Sequence, residues 1–163
     1  MTRTRIAIAA AAALGLGILL AVLLWPSPPA PPRARQYTAQ QACLLTDQHG
    51  VNGPEAAEAW AALQQASTAT SAKVTSLPVV GEPTLGNALP YATTLVARHC
   101  TVVVAATTIE AQAIAQIAPA YPKTRFLVVG TGNPTANLTV LAPSSDARTH
   151  LADTLTATLK SLN

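Results

Sequence analysis

The sequence predicts an α/β fold: a three-layer αβα sandwich around a mostly parallel five-stranded sheet, preceded by a transmembrane helix. Three observations predict it. Short apolar runs alternate with segments of helical spacing, the rhythm of a parallel sheet covered on both faces. The run Cys100-Thr-Val-Val-Val-Ala-Ala106 is apolar on both faces of a strand, as burial between two helical layers requires. Near the start of the chain, Ile6 to Trp25 forms a run of twenty residues without a charge.

Taken in order, Met1 to Arg5 is short and positive, and the uncharged run follows. At 1.5 Å per residue that run spans roughly 30 Å, one hydrocarbon core. Trp25 falls at the far interface, where an amphipathic ring is favoured. A cleaved signal peptide is the alternative, but its apolar region is usually about 7–15 residues and ends in small residues. Here Pro26-Ser-Pro-Pro-Ala-Pro-Pro32 follows instead, with no cysteine beside it to take a lipid. The expectation is a single-pass plasma-membrane anchor over residues 1–25, with the domain extracytoplasmic in either case. Residues 26–41 read as a proline-rich, semi-rigid linker, and residues 42–163 as the αβα domain.

Within the domain, Ala42 to Thr46 reads as the first strand and Asp47 to Gly53 as a polar loop. A helix follows, capped by Asn52 or Gly53 and with Pro54 at its first position, where a missing N–H costs nothing. Trp60 and Leu63 supply its apolar face, and Gln64 to Ala72 reads as a Ser/Thr/Ala-rich connection. Lys73 to Val80 is a second strand that Pro78 ends early or confines to an edge. Gly81 to Thr84 is a turn, and Leu85 to His99 a helix that Pro90 kinks or splits. After the buried strand Cys100–Ala106, Thr107-Thr108 starts a third helix with Glu110 in its first turn, ended by Pro119 to Pro122. Arg125 to Gly130 is a fourth strand, Thr131 to Ala136 a loop, and Asn137 to Leu141 a fifth strand. Pro143 to Asp146 caps a last helix, with Leu151, Leu155, Leu159 and Leu162 as its stripe.

Composition narrows the function. Aromatic residues make up only 4% of the chain, so the core is aliphatic with small residues between close-packed elements. The formal charge of +3 misleads, because Arg3, Arg5, Arg33 and Arg35 all precede the domain. From Gln36 onward six Lys/Arg face seven Asp/Glu, a net −1, which offers nothing to neutralise phosphates. Nucleic-acid binding is excluded on that basis.

Three segments resemble the basic membrane protein family, the purine-nucleoside-receptor-like substrate-binding proteins of ABC importers. Leu44-Leu-Thr-Asp-Gln-His-Gly-Val-Asn52 followed by Ala59-Trp60 is similar to that family's strand–loop–helix opening, T-D-x-G-G-x-x-D-x-S-F-N-x-x-A-W. Val102 to Ala118 resembles its third strand and following helix, and Ala118-Pro-Ala-Tyr-Pro-Lys-Thr-Arg-Phe-Leu-Val-Val129 its A-x-x-Y-P-x-x-x-F strand entry. The resemblance covers Ala42 to Leu159 and one lobe, and it implies one lobe of a type I periplasmic-binding fold. Where the family opening places an aromatic and an amide to hold a nucleobase and ribose, Glu55 and Ala56 stand here, and the loop is one residue shorter. The partners implied are a small solute, a nucleoside among the choices, and an ABC permease or another membrane protein.

A ligand of such a lobe would lie at the C-terminal ends of the strands. The candidate contacts are Asp47, Gln48, His49, Asn52, Thr107, Thr108, Gly130, Thr131 and Asn133. Asp47 fits two roles, a hydrogen-bond acceptor for a ribose or amine and a cap of its own loop. His49 reads as an exposed loop histidine. Gly130-Thr-Gly-Asn133 lacks the spacing of a phosphate-binding fingerprint and reads as a turn, and Ser144 and Ser145 read as helix caps. His99 beside Cys100, with two separated cysteines and three scattered histidines, gives no zinc spacing. No catalytic constellation, cofactor or metal site is expected. The strand order that the resemblance implies makes the first and third strands parallel neighbours, which brings Cys43 and Cys100 together as a disulfide in an oxidising compartment; two buried free cysteines acting as small apolar residues are the alternative. The function expected is solute binding at a membrane-anchored receptor, the alternative a single-lobe structural or protein-interaction domain.

Overall fold

The computed structural model describes residues 36–162. The expected anchor, Ile6–Trp25, lies outside them, as does most of the linker. Among the described residues no helix is long and apolar enough to cross a membrane.

Five strands form one parallel sheet: β1 (Gln41–Thr46), β2 (Lys73–Pro78), β3 (Val102–Ala105), β4 (Arg125–Val129) and β5 (Leu138–Leu141), in the order β2-β1-β3-β4-β5. Three helices connect strands, α1 (Pro54–Thr70) between β1 and β2, α2 (Leu85–Ala97) between β2 and β3 and α3 (Thr108–Ile117) between β3 and β4, and α4 (Ala147–Ser161) follows β5. Side chains on successive strand residues point to opposite faces, and β1 shows the consequence. Cys43 and Leu45 enter one apolar core, while Ala42 and Leu44 enter the other. The first core packs under α2 and α3, the second under α1 and α4. Each fully buried leucine of the second core, Leu44, Leu63, Leu127, Leu151, Leu155 and Leu159, contributes roughly 1.5–3 kcal/mol of transfer free energy.

Small residues let α1 lie close to the sheet, with Ala59, Ala62 and Ala66 buried in a row beside Leu63. Trp60 packs only against the margin of that core. The helix does not stop where a Ser/Thr-rich connection was expected. It runs on to Thr70, because Thr68 and Thr70 turn their hydroxyls back onto the carbonyls of Gln64 and Ala66, at 2.9 and 2.7 Å. Ser71, with φ of 58°, then ends it in the left-handed region.

Pro90 does not split α2 either. It sits in the second turn, so the intrahelical bond it forgoes is the one to Gly86, and the helix continues to Ala97. The turn before α2 is held by Asn87, whose Nδ2 donates to the carbonyls of Val80 and Glu82, each at 3.0 Å. Gly81 permits this with φ of 106°, and a Cβ there would stand 3.2 Å from Asn87 Nδ2. As expected, Pro78 closes β2, which is an edge strand.

Helix α2 ends in a Schellman turn. The Cys100 N–H donates to the Leu95 carbonyl (3.2 Å), the His99 N–H to Val96 (2.9 Å), and His99 takes the left-handed position at φ of 61°. This turn drops Cys100 into the core. The disulfide to Cys43 is present, with a Cα–Cα distance of 5.9 Å. Its geometry differs in detail from two cysteines side by side at strand starts. Cys43 is the third residue of β1 and lies opposite Val103, whereas Cys100 precedes β3 by two residues and reaches over from the turn.

Candidate ligand-binding groove

Because every strand is parallel, all five C-terminal ends meet on one edge of the sheet, with the N-termini of α1, α3 and α4 around them. This is where open α/β sheets hold ligands. A groove of about 710 Å³ opens there, beyond the ends of β3, β4 and β5. Its floor is apolar, built from Ala59, Ala106, Ala111, Val128, Val140 and Leu151. Polar groups stand around it: Gln112 and Thr108 on α3, Gly130 to Asn133 after β4, and Ser144 before α4. The charged groups are Glu55 and Glu58 on α1 and Arg148 on α4.

Glu58 and Arg148 approach to 4.0 Å, with both side chains more than half exposed, so their pairing contributes at most about 1 kcal/mol. Glu55 makes no ion pair among the described residues. It stands in the first turn of α1, where the helix dipole stabilises a carboxylate.

Of the nine expected contacts, Thr108, Gly130, Thr131 and Asn133 line this groove. Asp47, Gln48, His49, Asn52 and Thr107 do not. Two of these have specific structural engagements. Asp47 Oδ1 accepts the His49 N–H at 3.0 Å, and the Asp47 carbonyl accepts the Gly50 N–H at 3.0 Å, so the aspartate braces its own loop. Thr107 is the N-cap of α3, and its hydroxyl donates to Glu110 Oε2 at 2.6 Å instead of facing outward. Glu110 is itself buried. The crevice between β1 and β3, where chain order reverses, is therefore flanked by side chains already engaged. The open space lies one strand further along.

Two expected caps take another form. Neither Ser144 nor Ser145 caps α4 through its side chain, and a backbone bond from the Ala147 N–H to the Ser144 carbonyl makes the turn instead. Asn137, in the sequon Asn137-Leu-Thr139, turns its Nδ2 toward the carbonyls of Ala118, Tyr121 and Thr124 at 2.8 to 3.3 Å. It ties β5 to the turn after α3. Sequence reasoning missed Glu58, Gln112 and Arg148, which come from three distant helices and share only the fold. Glu55 it did single out, as the residue in the place of an aromatic. Among the described residues no group of His, Cys, Asp and Glu is placed to hold a metal ion.

The fold and groove define a parallel αβα domain open at its ligand edge. No family model and no curated protein matches the chain. Among solved structures it is similar to a fragment designated a lipoprotein, from Peptoclostridium difficile 630, at 16% identity and a TM-score of 0.62, over 74% of this chain and 98% of that one. It is also similar to a transcriptional activator of the comK gene from Bacillus halodurans, at 16% identity and a TM-score of 0.51, over 61% of this chain and 33% of that one. The chain thus spans about a third of that activator. At such identities the likeness is one of fold.

Proposed function

We propose that this chain is a membrane-anchored, extracytoplasmic binding domain that holds a small solute in the groove beyond β3, β4 and β5. The observation that carries the reading is the groove itself, an apolar floor with a few polar groups converging on it at the ligand edge of the sheet. The order β2-β1-β3-β4-β5, with β1 between β2 and β3, is in keeping with one lobe of a type I periplasmic-binding fold and with the resemblance to nucleoside receptors of ABC importers. A disulfide suits an oxidising compartment, and the lipoprotein designation of the similar fragment suits an anchored domain. A permease or another membrane protein is the partner such a receptor would serve.

Two observations favour a second reading, a single-lobe interaction domain. Glu55 stands where the resembling family holds a nucleobase with an aromatic ring, and nothing among the described residues closes over the groove. A thermal-shift screen of the full chain in detergent, against nucleosides and other small solutes, separates the two. A solute at about 100 times its dissociation constant stabilises by ~2.7 kcal/mol. A saturable rise in melting temperature supports solute binding; a flat response across the panel favours the interaction domain.

A further inference from the structure

We infer that the groove selects a solute with an apolar body and a cationic amine, an inference that rests on the solute-binding reading above and names its ligand class. The floor offers no charge. Around it stand two carboxylates and one guanidinium, and the guanidinium of Arg148 already faces Glu58 at 4.0 Å. Glu55 is left with its carboxylate unpaired among the described residues, at the mouth of an apolar slot. The remaining polar lining, Thr131, Asn133 and Gln112, is uncharged. A ligand anion would meet two carboxylates against one guanidinium that is already partnered, with only the positive ends of α1, α3 and α4 to favour it. A neutral ligand would bury its body and leave Glu55 unused. An ammonium on a short apolar arm satisfies both, the arm lying on Ala59, Ala106 and Leu151 and the charge reaching Glu55. The attraction is modest because the carboxylate is exposed and the positive end of α1 offsets part of its charge.

The test uses three probes that share one body: 2-phenylethylamine, 2-phenylethanol and phenylacetate. Each is titrated into the isotope-labelled full chain in detergent, following backbone amide shifts by NMR. Residue-resolved shifts at Ala59, Ala106, Gly130 and Leu151 separate the groove from partition into the micelle. The amine is expected to bind about fivefold tighter than the alcohol at low salt, with phenylacetate weakest and the preference shrinking as salt screens it. E55Q should bring the amine-to-alcohol ratio close to one. R148Q, which releases Glu58, should widen it. Equal affinity for the three probes, or tightest binding of phenylacetate, overturns the charge preference while leaving a groove that binds solutes. Absence of groove shifts with all three probes overturns it as well. In that case the solute panel of the thermal-shift screen decides separately whether the groove binds anything.

Discussion

Reducing the Cys43–Cys100 bond removes a crosslink between positions 57 residues apart. In the chain-entropy account, opening a loop of that size frees the unfolded state by about 4 kcal/mol at 25 °C. Whole-domain stability is ordinarily about 5–15 kcal/mol, so the bond accounts for a large fraction of what holds the fold. Urea titration of oxidised and reduced protein, side by side, measures it. For a slope of about 1–3 kcal/mol per molar, the midpoint of the reduced form should fall by roughly 1.5–4 M. Both cysteines are buried in the core between the sheet and α2–α3. A reductant should therefore reach them only through opening of the fold, and thiols should be released at the rate of global unfolding. Two reactive thiols in the unfolded, unreduced protein would refute the bond. A midpoint that moves by less than about 0.3 M would refute the entropic account of its contribution.

Asn137→Ala leaves the carbonyls of Ala118, Tyr121 and Thr124 without their shared donor and should cost about 1–3 kcal/mol, read as a shift in the same urea midpoint. An unchanged midpoint would show that water replaces the amide at no cost. Asp47→Ala should lower stability by about 0.5–1.5 kcal/mol through its lost loop bond and leave the groove's affinity for any solute that the thermal-shift screen finds as it was. A large loss of affinity would restore Asp47 as a ligand contact.

Much of the architecture could be read in advance because burial dictates composition. The run Val102 to Ala105 is apolar on both faces and became the central strand, and the leucines of α4 at every fourth position became its buried stripe. The end of α1 could not be read that way. Ser and Thr are common in turns and loops, yet Thr68 and Thr70 satisfy their hydroxyls within the helix, and the buried Ser67 donates to the Ala72 carbonyl. The groove was legible only in part. The rule that ligands lie beyond parallel strand ends placed Thr108, Gly130, Thr131 and Asn133 there. It could not tell that Asp47 and Thr107, on the same edge, spend their side chains on neighbours. Nor does local spacing mark Glu58 and Arg148 as a pair, since 90 positions separate them and α1 meets α4 only in the folded domain.

Gln40, just ahead of β1, donates through Nε2 to the carbonyl of Leu162 at 2.7 Å. The domain's first and last described segments are thus clasped at the sheet edge opposite the groove, and the polypeptide between them is nearly a ring. A ring has no obligatory starting strand. A short peptide joining Leu162 to Gln40, with new ends opened in the exposed turn between Gly81 and Pro83, would keep every strand neighbour and the disulfide while reversing which half of the sheet is synthesised first.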